Sequence, residues 1–300
     1  MSAPLSMFCG LSAFPLTPAD AEGRLQPDAL AALIERLCAA GVDSIGLLGS
    51  TGGYPYLTRE VRREAVRVAV EVAGGRAPVI VGVGALRTDA AQALARDAEA
   101  EGASGVLLAP VSYQPLTEAE VAQLVESVAG ASGLPLCLYN NPRTTGFTFS
   151  EALVAQLSHL PRVAAVKMPS GVPDLPQQIA RLRASCAEGF AIGYSGDAGA
   201  PEVLLSGADG WFSVIGGLLP APALRLARLA AAGEVEAAKA LSDELAPLSG
   251  LVQEFGGFRV MYAAARIKGL AVCDPPRPVL PLPAEVLPRL EAALAQAPAC

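Results

Sequence analysis

The chain has 300 residues, 52% of them hydrophobic and 17% charged, which is enough apolar material for one large α/β barrel or two ordinary domains and excludes disorder by composition. A formal net charge of −7 excludes the global basic surface that nucleic acid would require. No apolar run approaches the roughly 18 uninterrupted residues of a membrane helix, and the opening "MSAPLSMFCGLSAFPLTPADAEG" has no basic region ahead of its apolar residues, as a secretory signal would.

From the N-terminus onward, short apolar runs alternate with longer Ala/Leu/Arg/Glu-rich ones. "MFCGLSAF" reads as a strand. A helix then starts near Pro27, where proline suits the first turn, and Leu30, Leu33, Ile34 and Leu37 form one apolar face before Gly41 ends it. "SIGLLGS" is the second strand, followed by a helix over "REVRREAVRVAVEVA" with Thr58 as its N-cap. "PVIVGVG" and "GVLLAP" are strands three and four. Thr88 and Thr117 are the expected caps of the helices that follow them, and Thr117 with Glu120 fits a capping box. "PLCLYN", "VAAVKM", "FAIGYSG" and "GWFSVIG" complete eight strands, with a helix capped by Ser150 after the fifth.

These runs are continuously apolar rather than alternating, the mark of strands buried on both faces of a parallel sheet. Eight β-then-α units within about 230 residues predict an α/β fold, a (β/α)8 TIM barrel. The runner-up, a doubly wound open sheet, lacks a GxGxxG at its first strand–helix junction; the "GVG" at Gly82–Gly84 reads as tight backbone packing. After residue 232 the strands stop. "EVEAAKALSDELAPLSGLVQEF", "FRVMYAAARIKGL" and "PAEVLPRLEAALAQA" read as helices. The expected organisation is a catalytic barrel over 1–232 and a C-terminal helical appendage over 233–300, packed on it.

Cys9, Cys38, Cys137, Cys186, Cys273 and Cys300 form no CxxC pair, and His159 is the one histidine. A Cys/His zinc site has nothing to build on, so no metal is expected. Dispersed thiols in apolar surroundings suggest core residues in a reducing cytoplasm. His159, in "SHLP", reads as a loop histidine.

The three lysines are Lys167, Lys239 and Lys268; arginine supplies the remaining basic residues and reads as the surface charge of this chain. Lys239 and Lys268 lie in predicted helices. Lys167 lies near the C-terminal end of the sixth strand, where barrel active sites gather. Arginine keeps its proton, but a buried lysine can lose it and attack a ketone to form a Schiff base. Such chemistry needs a proton carrier, and histidine is not at hand. Tyr139 ends the neighbouring fifth strand, so its phenol could reach the same mouth. Ser50 and Thr51, ahead of Gly52 and Gly53, offer hydroxyls and backbone N–H groups that could nest a carboxylate. A strand-end anchor for Tyr139 and a plain turn at Ser50 are the structural alternatives.

Together, "GSTGG", "YNNPRTTG" and "VAAVKMPSG", with "GVGALRT" and "GYSGDA", occur in an order and spacing that resembles the dihydrodipicolinate synthase / N-acetylneuraminate lyase family over nearly the whole chain. The resemblance implies a class I aldolase on a (β/α)8 barrel. Lys167 would form an imine with pyruvate or another 2-oxo acid, and Tyr139 would relay protons. Ser50 and Thr51 would hold the keto-acid carboxylate and join the relay, while Gly193 and the main chain near Phe212 would line the pocket. It also implies a homotetramer, a dimer of dimers, and no metal or organic cofactor.

The chain departs from that pattern in three places. Where synthases of the family read Tyr-Asn-x-Pro-x-Arg-Thr-Gly, this chain has Thr144, with Arg143 one residue earlier. The glutamate of GTTGE is replaced by Gly53. The tyrosine that completes the relay from a neighbouring subunit falls at Ser112, beside Tyr113. Three functions stay open: a Schiff-base lyase or aldolase on a 2-oxo acid, a dihydrodipicolinate synthase proper, and a barrel that binds a small acid without turnover. Tyr113, Arg143 and Ser170 are candidates to face a second substrate.

Overall fold

The computed structural model describes residues 6–298; Cys300 and the first five residues of the opening stretch lie outside them. Eight strands, β1 (Gly10–Ala13), β2 (Ser44–Leu47), β3 (Val79–Gly82), β4 (Gly105–Leu108), β5 (Leu136–Tyr139), β6 (Val163–Pro169), β7 (Ala191–Ser195) and β8 (Gly210–Ser213), form a closed barrel in sequence order. Every pairing is parallel, including the closure of β8 on β1. Each strand falls inside one of the eight apolar runs, except that β6 runs one residue further, to Pro169. They are apolar throughout because barrel interior and helical shell bury both faces: β2, β3, β4 and β5 are buried at every position.

The helices follow their caps, with one exception. Pro27–Ala40 buries Leu30, Leu33, Ile34 and Leu37 and ends on Gly41 in the left-handed conformation; each such leucine contributes roughly 1.5–3 kcal/mol by burial. Thr58, Thr117 and Ser150 cap their helices with side-chain oxygens, and Thr117 with Glu120 forms the capping box. Thr88 does not cap: it is the first helical residue of Thr88–Ala100, after an extended Arg87. Helices Leu175–Ser185, Ala200–Leu205 and Pro220–Ala231, beyond those expected from the sequence, complete the shell.

Arginine is not confined to the surface. Arg62 is 6% exposed and donates to the carbonyls of Gly82 and Gly84 at 2.8 and 3.2 Å, latching the end of β3. Burial pushes its guanidinium down to about 10.

Beyond the barrel, helices Val235–Phe255, Gly257–Ile267 and Leu287–Gln296 share a second core with it. Leu245, Leu248, Val260 and Met261 meet Leu16, Ile215 and Leu218 there. Tyr262 donates its hydroxyl to the Thr17 carbonyl at 2.7 Å. Phe258 stacks on Tyr56, ring centroids 5.7 Å apart, and occupies the space a side chain at Gly53 would need. The appendage thus covers one side of the loop after β2.

Candidate active site

Lys167 owes its position to an irregularity in strand pairing. Leu136 of β5 pairs with Val163, but the next residue, Cys137, pairs with Ala165, so Ala164 is extra. A one-residue slip moves side chains to the opposite face of a strand. The bulge brings Lys167 into register with Tyr139 on one side and with Gly193 on the other. Register partners on parallel strands point to the same face. Two residues below, Cys137, Ala165 and Ala191 belong to the apolar cluster inside the barrel. Lys167 and Tyr139 therefore stand on the interior layer nearest the C-terminal mouth.

Lys167 is 3% exposed, while Lys239 and Lys268 are exposed. Its Nζ lies 3.7 Å from the ring centroid of Phe14, 4.2 Å from that of Tyr139 and 5.4 Å from that of Phe212. Three aromatic faces at these distances attract a cation through their quadrupoles. Among the described residues, no carboxylate forms an ion pair with it. Glycines make room for the cage: a Cβ at Gly46 would overlap Phe14, and one at Gly193 would overlap Phe212. Phe14 and Phe212 meet edge to face, centroids 5.9 Å apart. Gly193 thus serves the site by what it lacks. Cys137, one layer deeper, has its thiol pushed far above the usual range by burial, so it is a core thiol and not a nucleophile.

The hydroxyls converge on the phenol. Ser50 Oγ lies 3.4 Å from Tyr139 Oη. Asn141 Nδ2 donates to Tyr139 Oη at 3.0 Å and to Ser50 Oγ at 3.2 Å. Leu48, two residues before Ser50, takes φ 54, a left-handed conformation uncommon for a bulky residue. Thr51 is 5% exposed, and its Oγ1 faces Gly257 at the start of a C-terminal helix. The loop carrying Asn141 is pinned from below. Buried Asn140 accepts from the Phe149 N–H at 3.2 Å and directs its amide at Met168 Sδ, and Thr145 Oγ1 donates to the Asn141 carbonyl at 3.0 Å.

One acid belongs to this neighbourhood. Asp197, in the turn after β7, accepts from Ser213 Oγ at 2.7 Å and from the Ile215 N–H at 3.2 Å, tying the loops after β7 and β8 together. Burial pushes its carboxyl up to about 6; the two hydrogen bonds and the charge of Lys167 oppose the rise.

The remaining expected residues stand apart. Tyr113 is 90% exposed. Ser112 donates to the Gln114 carbonyl within its own loop. Arg143 and Thr144 are exposed on the one-turn helix Pro142–Thr145. Ser170 packs against Gly196 and Gly199. His159 is the exposed C-cap of Glu151–Ser158. Among the described residues, no three His, Cys, Asp or Glu side chains converge as a metal site.

Sequence reasoning missed Phe14, Asn141 and Asp197. Asn141 sits inside "YNNPRTTG" and Asp197 inside "GYSGDA", so the polar residues next to the recognised ones were the available signal. Phe14 carried none, because the vacancy that admits its ring is a glycine on another strand.

The comparisons with known proteins agree with this architecture. A model of the Dihydrodipicolinate synthetase family matches residues 7–297. A 4-hydroxy-tetrahydrodipicolinate synthase from Methylococcus capsulatus is 37% identical over 233 residues, 77% of this chain and 79% of the relative. One from an Exiguobacterium species is 31% identical over 97% of this chain and 98% of its own length. A dihydrodipicolinate synthase from Agrobacterium tumefaciens superposes with a TM-score of 0.95 at 53% identity, covering 97% of this chain and 99% of that one. A dihydrodipicolinate synthase from Acinetobacter baumannii, solved in complex with pyruvate, superposes at 0.90 with 28% identity and covers 97% of this chain and 99% of its own. This chain belongs to the dihydrodipicolinate synthetase family and is an enzyme of the class I aldolase and lyase kind.

Proposed function

We propose that Lys167 carries the chemistry as a Schiff base with pyruvate or another 2-oxo acid. The amine Nζ attacks C2, the carbonyl oxygen takes up protons and leaves as water, and a protonated imine remains. That imine draws electrons from C3. Loss of a C3 proton gives an enamine, which can attack a second carbonyl carbon; the reverse sequence cleaves a carbon–carbon bond. Tyr139, hydrogen-bonded with Ser50, moves the protons. Thr51, Ser50 and the N–H groups of their loop hold the substrate carboxylate, with Gly193 and Phe212 shaping the other wall. The imine itself is the electron sink, so the reaction as proposed calls on no metal or organic cofactor.

The observation that carries this reading is the register that sets Lys167 opposite Tyr139 on the barrel's inner face. The experiment is reductive trapping. Protein incubated with pyruvate and borohydride gains the mass of a reduced adduct, and Lys167→Ala gains none. No adduct with any 2-oxo acid would leave a barrel that binds small acids without turnover.

A second, narrower reading is 4-hydroxy-tetrahydrodipicolinate synthase, condensing pyruvate with aspartate semialdehyde. The names of the relatives favour it; exposed Thr144, where the motif the chain resembles reads arginine, weighs against it. Turnover of pyruvate with aspartate semialdehyde, set against a panel of other aldehydes, separates the two.

The proposed setting is a homotetramer in the cytoplasm. Dispersed free cysteines suit a reducing compartment. Tyr113 and Leu86, 90% and 69% exposed, are apolar surface of the kind a subunit interface covers. No helix among the described residues is long and apolar enough to cross a membrane. Sedimentation of the intact protein decides the assembly.

A further inference from the structure

We propose that Asn141 is a positioning residue that orients the hydroxyl hydrogens of the Tyr139–Ser50 pair for proton transfer; the inference rests on the Lys167–Tyr139 reading above and deepens it. An amide NH2 carries two hydrogens and no lone pair to accept with. Asn141 Nδ2 spans both relay oxygens, 3.0 Å from Tyr139 Oη and 3.2 Å from Ser50 Oγ, while those oxygens stand 3.4 Å from each other. With one N–H directed at each, both oxygens act as acceptors toward Asn141. Their own hydrogens must then point elsewhere. Two arrangements keep the contact between the pair a hydrogen bond. Ser50 donates to Tyr139, freeing the phenolic hydrogen to face the substrate, or Tyr139 donates to Ser50. A proton can pass along this pair in either sense, but it cannot be lost to Asn141, which has no acceptor atom facing it.

The placement is held by the fold. The Asn141 carbonyl accepts from the Thr144 and Thr145 N–H groups at 3.1 Å and from Thr145 Oγ1 at 3.0 Å. Buried Asn140 anchors the preceding peptide to Phe149. Neither Ser112 nor Tyr113 makes a described contact with the phenol: Ser112 turns to Gln114, and Tyr113 is exposed. Within one chain, Asn141 is the third member of the hydrogen-bonded triangle.

The test separates imine formation from proton transfer. Borohydride trapping with pyruvate reads the imine. Exchange of the pyruvate C3 hydrogens in D2O reads the relay, because each exchange needs one C3 proton removed from the imine and one deuteron returned. Asn141→Leu keeps the volume and loses both donors. Asn141→Asp keeps the size and, when ionised, offers only acceptors that draw both hydroxyl hydrogens away from the relay. The expected result is trapping within twofold of wild type in both variants. Exchange falls about tenfold in Asn141→Leu, the size of one net hydrogen bond, and further in Asn141→Asp.

Exchange within twofold of wild type in both variants overturns the role of Asn141. So does a parallel fall in trapping and exchange, which would mean that Asn141 shapes the pocket instead. Higher exchange in Asn141→Asp than in Asn141→Leu also overturns it, because the amide would then present its oxygen to the pair. Absence of an adduct in the wild type strikes the Lys167 reading and is distinguishable from all of these.

Discussion

Lys167 and Tyr139 are 3% and 7% exposed, on adjacent strands whose register is set by backbone hydrogen bonds. Tyr113 is 90% exposed on the loop after β4, and Arg143 stands in solvent on the one-turn helix after β5. The floor of the barrel mouth is held from three directions, by sheet pairing, by the Phe14–Phe212 edge contact and by the Asn141–Ser50–Tyr139 triangle. Arg143 has no carboxylate partner among the described residues. The difference assigns the two regions different work. On the proposed function, imine chemistry, which demands atoms held within fractions of an ångström, falls where the fold is most constrained. On the same proposal, recognition of a second carbonyl compound would fall to the rim, where one residue can change without disturbing the barrel.

The comparison is broken or sharpened by substitutions on each side. The largest effect is expected at the floor. Tyr139→Phe keeps the aromatic wall against Lys167 and removes only the hydroxyl, so pyruvate trapping persists while C3 exchange falls by about 10²–10⁴, the usual contribution of general acid–base catalysis. Exchange at the wild-type rate would show that the phenol carries no proton.

An intermediate effect is expected at Asp197, which joins floor to rim through the loops after β7 and β8. Its carboxyl is pushed up to about 6 in the folded protein from an ordinary value of 3.8. Between those two values the folded state holds more protons than the unfolded state. Stability contributed by this group is therefore greatest below pH 4 and falls as pH rises toward 6, by about 2 kcal/mol. Asp197→Asn removes the titration. Denaturant midpoints at pH 4.5 and pH 7 should lie closer together in the variant than in the wild type; an unchanged gap would place the pH sensitivity elsewhere.

The smallest effect is expected at the rim. Arg143→Ala should leave pyruvate trapping and C3 exchange within about threefold, because an exposed, unpaired guanidinium acts on the floor only through screened solvent. Its effect should appear as a raised KM for a second substrate that bears a carboxylate. A tenfold loss of C3 exchange would show that the rim closes onto the floor and would erase the distinction between the two.

Chain order and chemistry together made much of this legible in advance. The eight apolar runs are the eight strands, since burial on both faces leaves an unbroken hydrophobic signature that periodicity detects. Lys167 stood out because a charge inside such a run has no packing role, and Tyr139 because it ends the run beside it. Thr88 shows the limit of local signals: threonine fits an N-cap, yet the extended Arg87 lets the helix begin one residue early. Arg62 shows another, a buried arginine that composition assigned to the surface and that donates to carbonyls some twenty residues away.

What the sequence determined by itself was the eight strands, their parallel order and the one lysine among them, all of which follow from local patterning and residue chemistry. Tertiary structure alone decided three things. The extra residue Ala164 in β6 set Lys167 opposite Tyr139. The bare faces of Gly46 and Gly193 admitted Phe14 and Phe212 to the amine. Closure of the barrel brought Ser50 to an amide and a phenol about ninety residues away. Each depends on how separate strands come into register, a long-range fit of backbone hydrogen bonds and excluded volume that no local stretch of the chain contains.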